Sequence, residues 1–101
     1  MKADRFVVVQ ENEDGAHWLM AVTDSAAEAW GTVMMDVWDF SQSYKDEGDV
    51  FEIGIPFRMD GDGGYALVVR YKAACWTHLD QPKTQRYYVL FDYKDGEKEN
   101  G

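Results

Sequence analysis

"TDSAAEAWGTVMMDVWDF", residues 23–40, is where the hydrophobic period of the chain changes from two to 3.6 residues, and that change decides the fold. Ser25 followed three residues later by Glu28 has the form of a capping box, which satisfies backbone N–H groups at a helix start. From there Ala26, Trp30, Val33, Val37, Phe40 and Tyr44 recur at intervals of three and four, predicting one buried stripe about five turns long. Gly48 supplies a stop. On a helical wheel the stripe centres near Val37, with Met34 at its flank and Trp38 further round. Met35 falls almost opposite the core, and Glu28, Thr32, Asp36, Asp39 and Ser43 take the solvent side.

Outward from this helix the period is two. Upstream, "RFVVVQE" (5–11) and "AHWLMAV" (16–22) flank the turn-former cluster "NEDG", in which Gly15 can take positive φ, and together they predict a hairpin. In its second arm Trp18, Met20 and Val22 share one face, and His17, Leu19 and Ala21 the other. Downstream come "VFEIGIPF" (50–57), "YALVVRYKAACWTH" (65–78) and "QRYYVLFDY" (85–93), the first two joined by the glycine-rich "RMDGDGG". Their odd positions are apolar: Phe51, Ile53, Ile55 and Phe57; Tyr65, Leu67, Val69 and Tyr71; Tyr87, Val89, Phe91 and Tyr93. Pro56 lacks a donor and marks an edge or a bulge. The expected order is β-β-α-β-β-β: an α+β domain with a mainly antiparallel sheet of about five strands and one long helix packed on one face. The pattern leaves strand order open.

At 101 residues the chain is read as a single domain, residues 1–101, with a frayed polar tail over 95–101. Its 46% hydrophobic and 15% aromatic content supports a true core. One cysteine, Cys75, cannot form an internal disulfide, and "MKADRF" shows no apolar signal segment; both favour a cytoplasmic protein. Nineteen acidic against ten basic residues give a net charge of -9, which repels nucleic acid and anionic lipid and favours basic partners.

Catalytic and metal chemistry find little support. Cys75 and His78 are three apart, which on a strand sends them to opposite faces, and a buried, inert cysteine is expected; His17 is expected to be half-buried and structural. One cysteine and two histidines miss zinc-site spacing. From Asp60 the "DGDGG" segment places Tyr65 where a calcium loop requires glycine and Tyr71 where it requires glutamate. No nucleotide or nucleophile-elbow motif is present, so neither an enzyme nor a cofactor is expected. Arg70, Lys72 and Arg86 share a face with Trp76 and Tyr88, as in sheets that stack single-stranded bases, but the overall charge and the missing RRM consensus argue against direct nucleic-acid binding.

Two surfaces remain. Glu28, Met35, Asp36, Trp38, Asp39, Asp46, Glu47, Asp49 and Glu52 compose an acidic surface with a soft apolar centre, suited to a basic, arginine-rich site. On the second sheet face, where Glu52, Arg58, Arg70, Lys72, Arg86 and Asp92 mix with aromatics, Trp76, Tyr88 and Leu90 form a candidate dimer patch. The leading expectation is a non-catalytic inhibitor that occupies a basic, possibly nucleic-acid-binding, site on a larger partner. Small acidic anti-CRISPR and anti-restriction proteins of phages and mobile elements, some of them DNA mimics, share this size and charge and nothing more specific. A toxin-neutralising immunity protein and a homodimeric assembly module are the alternatives.

Overall fold

The computed structural model describes residues 5–77 and 79–92, with backbone only at Asp62. His78, Tyr93 and the expected tail over 95–101 lie outside the described residues. The fold is α+β. Strands β1 (Arg5–Glu11) and β2 (His17–Thr23) form a hairpin, helix α1 (Ala26–Ser41) follows, and β3 (Val50–Ile53), β4 (Phe57–Arg58), β5 (Gly64–Lys72) and β6 (Lys83–Asp92) complete one antiparallel sheet. Its order is β2-β1-β6-β5-β3, with β4 paired to β5 beyond β3. None of the described helices is long and apolar enough to cross a membrane.

The helix begins where the capping pattern places it. Ser25 is extended (φ -139°, ψ 152°) and its Oγ accepts the Glu28 backbone N–H at 3.1 Å. It ends at Ser41, about two turns before Gly48. Ser41, Gln42 and Ser43 are modest helix formers, and Asp39 opposes the negative helix end with no basic residue in the last turn. Successive bonds from Gln42, Ser43 and Tyr44 N–H to the carbonyls three residues back tighten the exit.

Three further expectations are corrected by register. In β2 the pairing runs Val8 opposite Ala21 and then Val9 opposite Leu19, so Met20 is an extra, bulged residue. The slip places Trp18 with Ala21 and Thr23 on the helix side and leaves His17, Leu19 and Val22 on the far face. At the other edge, Gly54 and Pro56 split the expected 50–57 strand into β3 and β4, and Gly54 N–H still reaches the Val68 carbonyl at 2.9 Å. Ile53 opposes Val69 but Phe57 opposes Ala66, a one-residue slip that turns Phe57 to the far face and Arg58 to the Tyr65 side. The strand expected over 65–78 stops at Lys72, and Cys75 falls in the turn that follows, exposed rather than buried.

The core is Val8, Leu67, Val69, Tyr87 and Val89 of the sheet against Ala29, Val33 and Val37 of α1. The helix lies over β2, β1 and β6. At and beyond its C-terminal turn, Phe40, Tyr44, Phe51, Tyr71 and Trp76 cover the β5–β3 end through edge-to-face and tilted contacts 4.7–6.2 Å apart. Gly64 opens β5 at φ +138°, where an added Cβ would lie 2.1 Å from the Val89 carbonyl oxygen. Gly64→Ala is expected to lower the unfolding free energy by about 2 kcal/mol or more, read from a urea titration. Gly15→Ala, also at positive φ but in open space, should cost less.

Candidate functional site

The rotational setting of α1 determines which of its side chains are available. Ala29, Val33 and Val37 are fully buried, which centres the packed face near Val33, about 40° from the Val37-centred wheel. Asp36 consequently turns inward, contrary to its expected place on the solvent side. Its Oδ2 accepts the Tyr87 hydroxyl at 2.6 Å, and the same hydroxyl accepts a hydrogen bond from Gln85 Nε2 at 2.6 Å. Tyr87 and Gln85 are buried, so this short chain satisfies polar groups that the sheet would otherwise leave unpaired beneath the helix. Burial raises the Tyr87 hydroxyl pKa far above the ordinary tyrosine value, and the Asp36 carboxylate adds to the rise.

The same rotation turns the other flank outward. Met35 is 73% exposed and Trp38 63% exposed, and Met34, expected to border the core, is exposed too. With Gly31 and Asp39 they line an open, mainly apolar depression of about 460 Å³. Residues 31, 34, 35 and 38 stand three and four apart, so α1 carries two apolar stripes, one packed on the sheet and one facing solvent. A Cβ at Gly31 would meet nothing within 4 Å. Internal packing therefore does not call for glycine at a position where it costs a helix about 1 kcal/mol relative to alanine.

The remaining candidates of the acidic surface separate into two groups. Glu28 and Asp39 are exposed and share the solvent side of α1 with Met35 and Trp38, and Asp46 and Glu47 are exposed in the turns after it. Asp49 instead holds the backbone: its carboxylate accepts the Asp46 N–H at 3.0 Å and the Ala74 N–H at 2.7 Å. Glu52 is on the far face of the sheet and accepts a hydrogen bond from Arg70 Nε at 2.7 Å. The acidic surface thus reduces to Glu28 and Asp39 beside the Met34–Met35–Trp38 patch, with Asp46 and Glu47 exposed beyond the helix C-terminus. Sequence reasoning missed Met34 and Gly31; the signal that could have found them was the second 3–4 periodicity.

On the far face, Tyr88 and Leu90 stand where alternation places them, but Trp76 does not join them. It follows the end of β5, packs edge-to-face on Tyr44 and Tyr71, and lies 5.1 Å from the Lys83 ammonium. The face has instead two adjacent apolar rows, Val22–Val7–Leu90 and Leu19–Val9–Tyr88–Ala66–Phe57, exposed at Leu19, Val22 and Phe57, half-buried at Val7, Val9, Tyr88 and Leu90 and buried at Ala66. His17, exposed on the edge strand rather than half-buried, sits 3.0 Å from Glu11 Oε2, while Glu11 Oε1 accepts the Tyr88 hydroxyl at 2.6 Å.

Asp36→Ala strands the Tyr87 hydroxyl and is expected to lower the unfolding free energy by about 1–3 kcal/mol in urea, whereas Asp39→Ala leaves the midpoint unchanged. Alkaline titration provides a second measurement. Tyr44, Tyr71, Tyr87 and Tyr88 all have raised hydroxyl pKa values, with burial as the first cause. Groups raised on folding contribute stability that is complete below the unfolded tyrosine value near 10 and is lost as pH climbs through the folded values. Stability should therefore decline above about pH 10, with tyrosinate absorbance rising later in the folded chain than in denaturant.

Compared with known proteins, the chain matches no family model, no curated sequence and no solved structure.

Proposed function

We propose that the protein is a non-catalytic binder that presents the outer stripe of α1 to a basic, arginine-rich site on a larger protein. The observation that carries this reading is the exposed Gly31–Met34–Met35–Trp38 patch bordered by Asp39. Its composition matches the demands of such a contact. Trp38 offers a broad face on which a guanidinium can stack, the two methionines adapt to an irregular partner, and Gly31 leaves a notch that an incoming side chain can enter. Glu28, Asp39, Asp46 and Glu47 supply carboxylates that pair with the same guanidinium groups, and the net charge of -9 accelerates encounter with a positive surface.

A protein of this kind inhibits by occupancy. A partner whose basic groove holds nucleic acid loses that groove to an acidic competitor, which is how anti-restriction and anti-CRISPR proteins of phages and mobile elements act; the present chain is proposed to belong to that functional class, acting in the cytoplasm. No bond is made or broken in this scheme.

The test is capture of partners from cell lysate at low and then high salt, followed by binding kinetics on the captured protein. The Glu28→Lys, Asp39→Lys, Asp46→Lys, Glu47→Lys variant has a net charge of about -1 and keeps Asp36 in place for the core. It should associate roughly 10- to 1000-fold more slowly while retaining its fold by circular dichroism. Trp38→Ala should leave association nearly unchanged and speed dissociation by about 30-fold, the effect of losing a central anchor. Capture that survives both changes, or that is insensitive to salt, would remove this surface as the binding site.

A further inference from the structure

We infer that the far face of the sheet is the interface of a symmetric homodimer in which two sheets pack face to face. This goes beyond the role proposed for α1 and does not depend on it. Five strands at about 4.8 Å spacing and three rows of side chains give this face a plan area of roughly 500 Å², and more along the pleat. That approaches the roughly 800 Å² of accessible surface that each partner contributes to a stable interface, with apolar side chains in two of the three rows. Leu19 is 67% exposed and Val22 and Phe57 about half exposed; the Leu19–Phe57 row runs from one edge of the sheet to the other, and the Val22 row runs from the β2 edge to Leu90 in the middle.

Charge selects a second copy as the occupant. Among the described residues this face bears Arg5, Arg70, Lys72 and Arg86 against Glu11, Glu52 and Asp92, four cations to three anions, in a chain whose net charge is -9. A strongly basic protein gains nothing by docking here. Two acidic chains, which repel through most of their surfaces, can meet here without that cost. The rim charges occur as pairs, Arg5 with Asp92 at 2.6 Å, Arg70 with Glu52, and His17 beside Glu11, and a two-fold axis lets cations of one copy face carboxylates of the other.

The sheet edges favour this mode over edge-to-edge pairing. β2 carries the Met20 bulge and the β3–β4 edge is interrupted at Gly54–Pro56, so neither offers an unbroken ladder to another strand. Face-to-face stacking, with sheets about 10 Å apart, needs no free ladder.

Sedimentation velocity on the full chain from low micromolar to about 0.5 mM is the test. The native protein should move to a species of twice 11.6 kDa as concentration rises. Leu19→Glu with Val22→Glu should weaken dimerisation at least 100-fold and leave a monomer, while Met35→Glu on α1 should leave the dimer intact. Should the double variant fail to fold by circular dichroism, Phe57→Glu at the opposite edge replaces it with the same expected loss. A native chain that stays monomeric throughout, a dimer that survives the far-face substitutions, or one that Met35→Glu dissolves would each overturn the inference.

Discussion

The angle at which α1 is turned about its own axis governs the rest of the molecule. Small side chains at Ala29, Val33 and Val37 let the helix sit closely on Val8, Val89 and Tyr87, and apolar contacts of this kind are forgiving of small rotations. The Tyr87–Asp36 hydrogen bond is not forgiving, because its donor is buried and has no water to turn to. It gives the helix one orientation, and in that orientation Met35 and Trp38 stay exposed among the described residues. A polar contact beneath the helix thus determines the apolar character of its outer surface.

Much of this was legible in the sequence. The capping residues, the switch of period and the odd-position apolar runs gave the class of fold, the element order and most of the core. The errors came from positions where a count of two or 3.6 loses its phase. Periodicity cannot register the single extra residue at Met20 or the interruption at Gly54–Pro56, and each changes by one face the side chains of its own edge strand. Asp36 was misplaced for a related reason: wheel geometry assigns carboxylates to solvent by type, whereas a buried tyrosine hydroxyl 51 residues further along the chain needed an acceptor. Trp76 looked like a strand residue because an apolar run continues past Lys72, but the ladder stops there and the indole joins an aromatic cluster instead.

Seen together, the two exposed apolar surfaces have opposite electrostatic characters. The outer stripe of α1 is bordered by carboxylates, while the bare face of the sheet has its cations and anions close to balance. An excess of acid that looks uniform in composition is therefore distributed unevenly, and the two surfaces suit different kinds of neighbour. Leu19 and Phe57, placed on this face by the two register slips, carry one of its apolar rows to both edges.

The strand order also has a consequence in time. The middle of the sheet joins β1 to β6, with Arg5 opposite Asp92, the two ends of the described chain. During synthesis, at about 5–20 residues per second, the N-terminal hairpin and α1 emerge several seconds before the strand that holds them. Until β6 has left the ribosome, β1 has a bare inner edge and Ala29, Val33 and Val37 lack most of their floor. The sheet can therefore close only after β6 has been made, and until then the apolar face of α1 stays open to water.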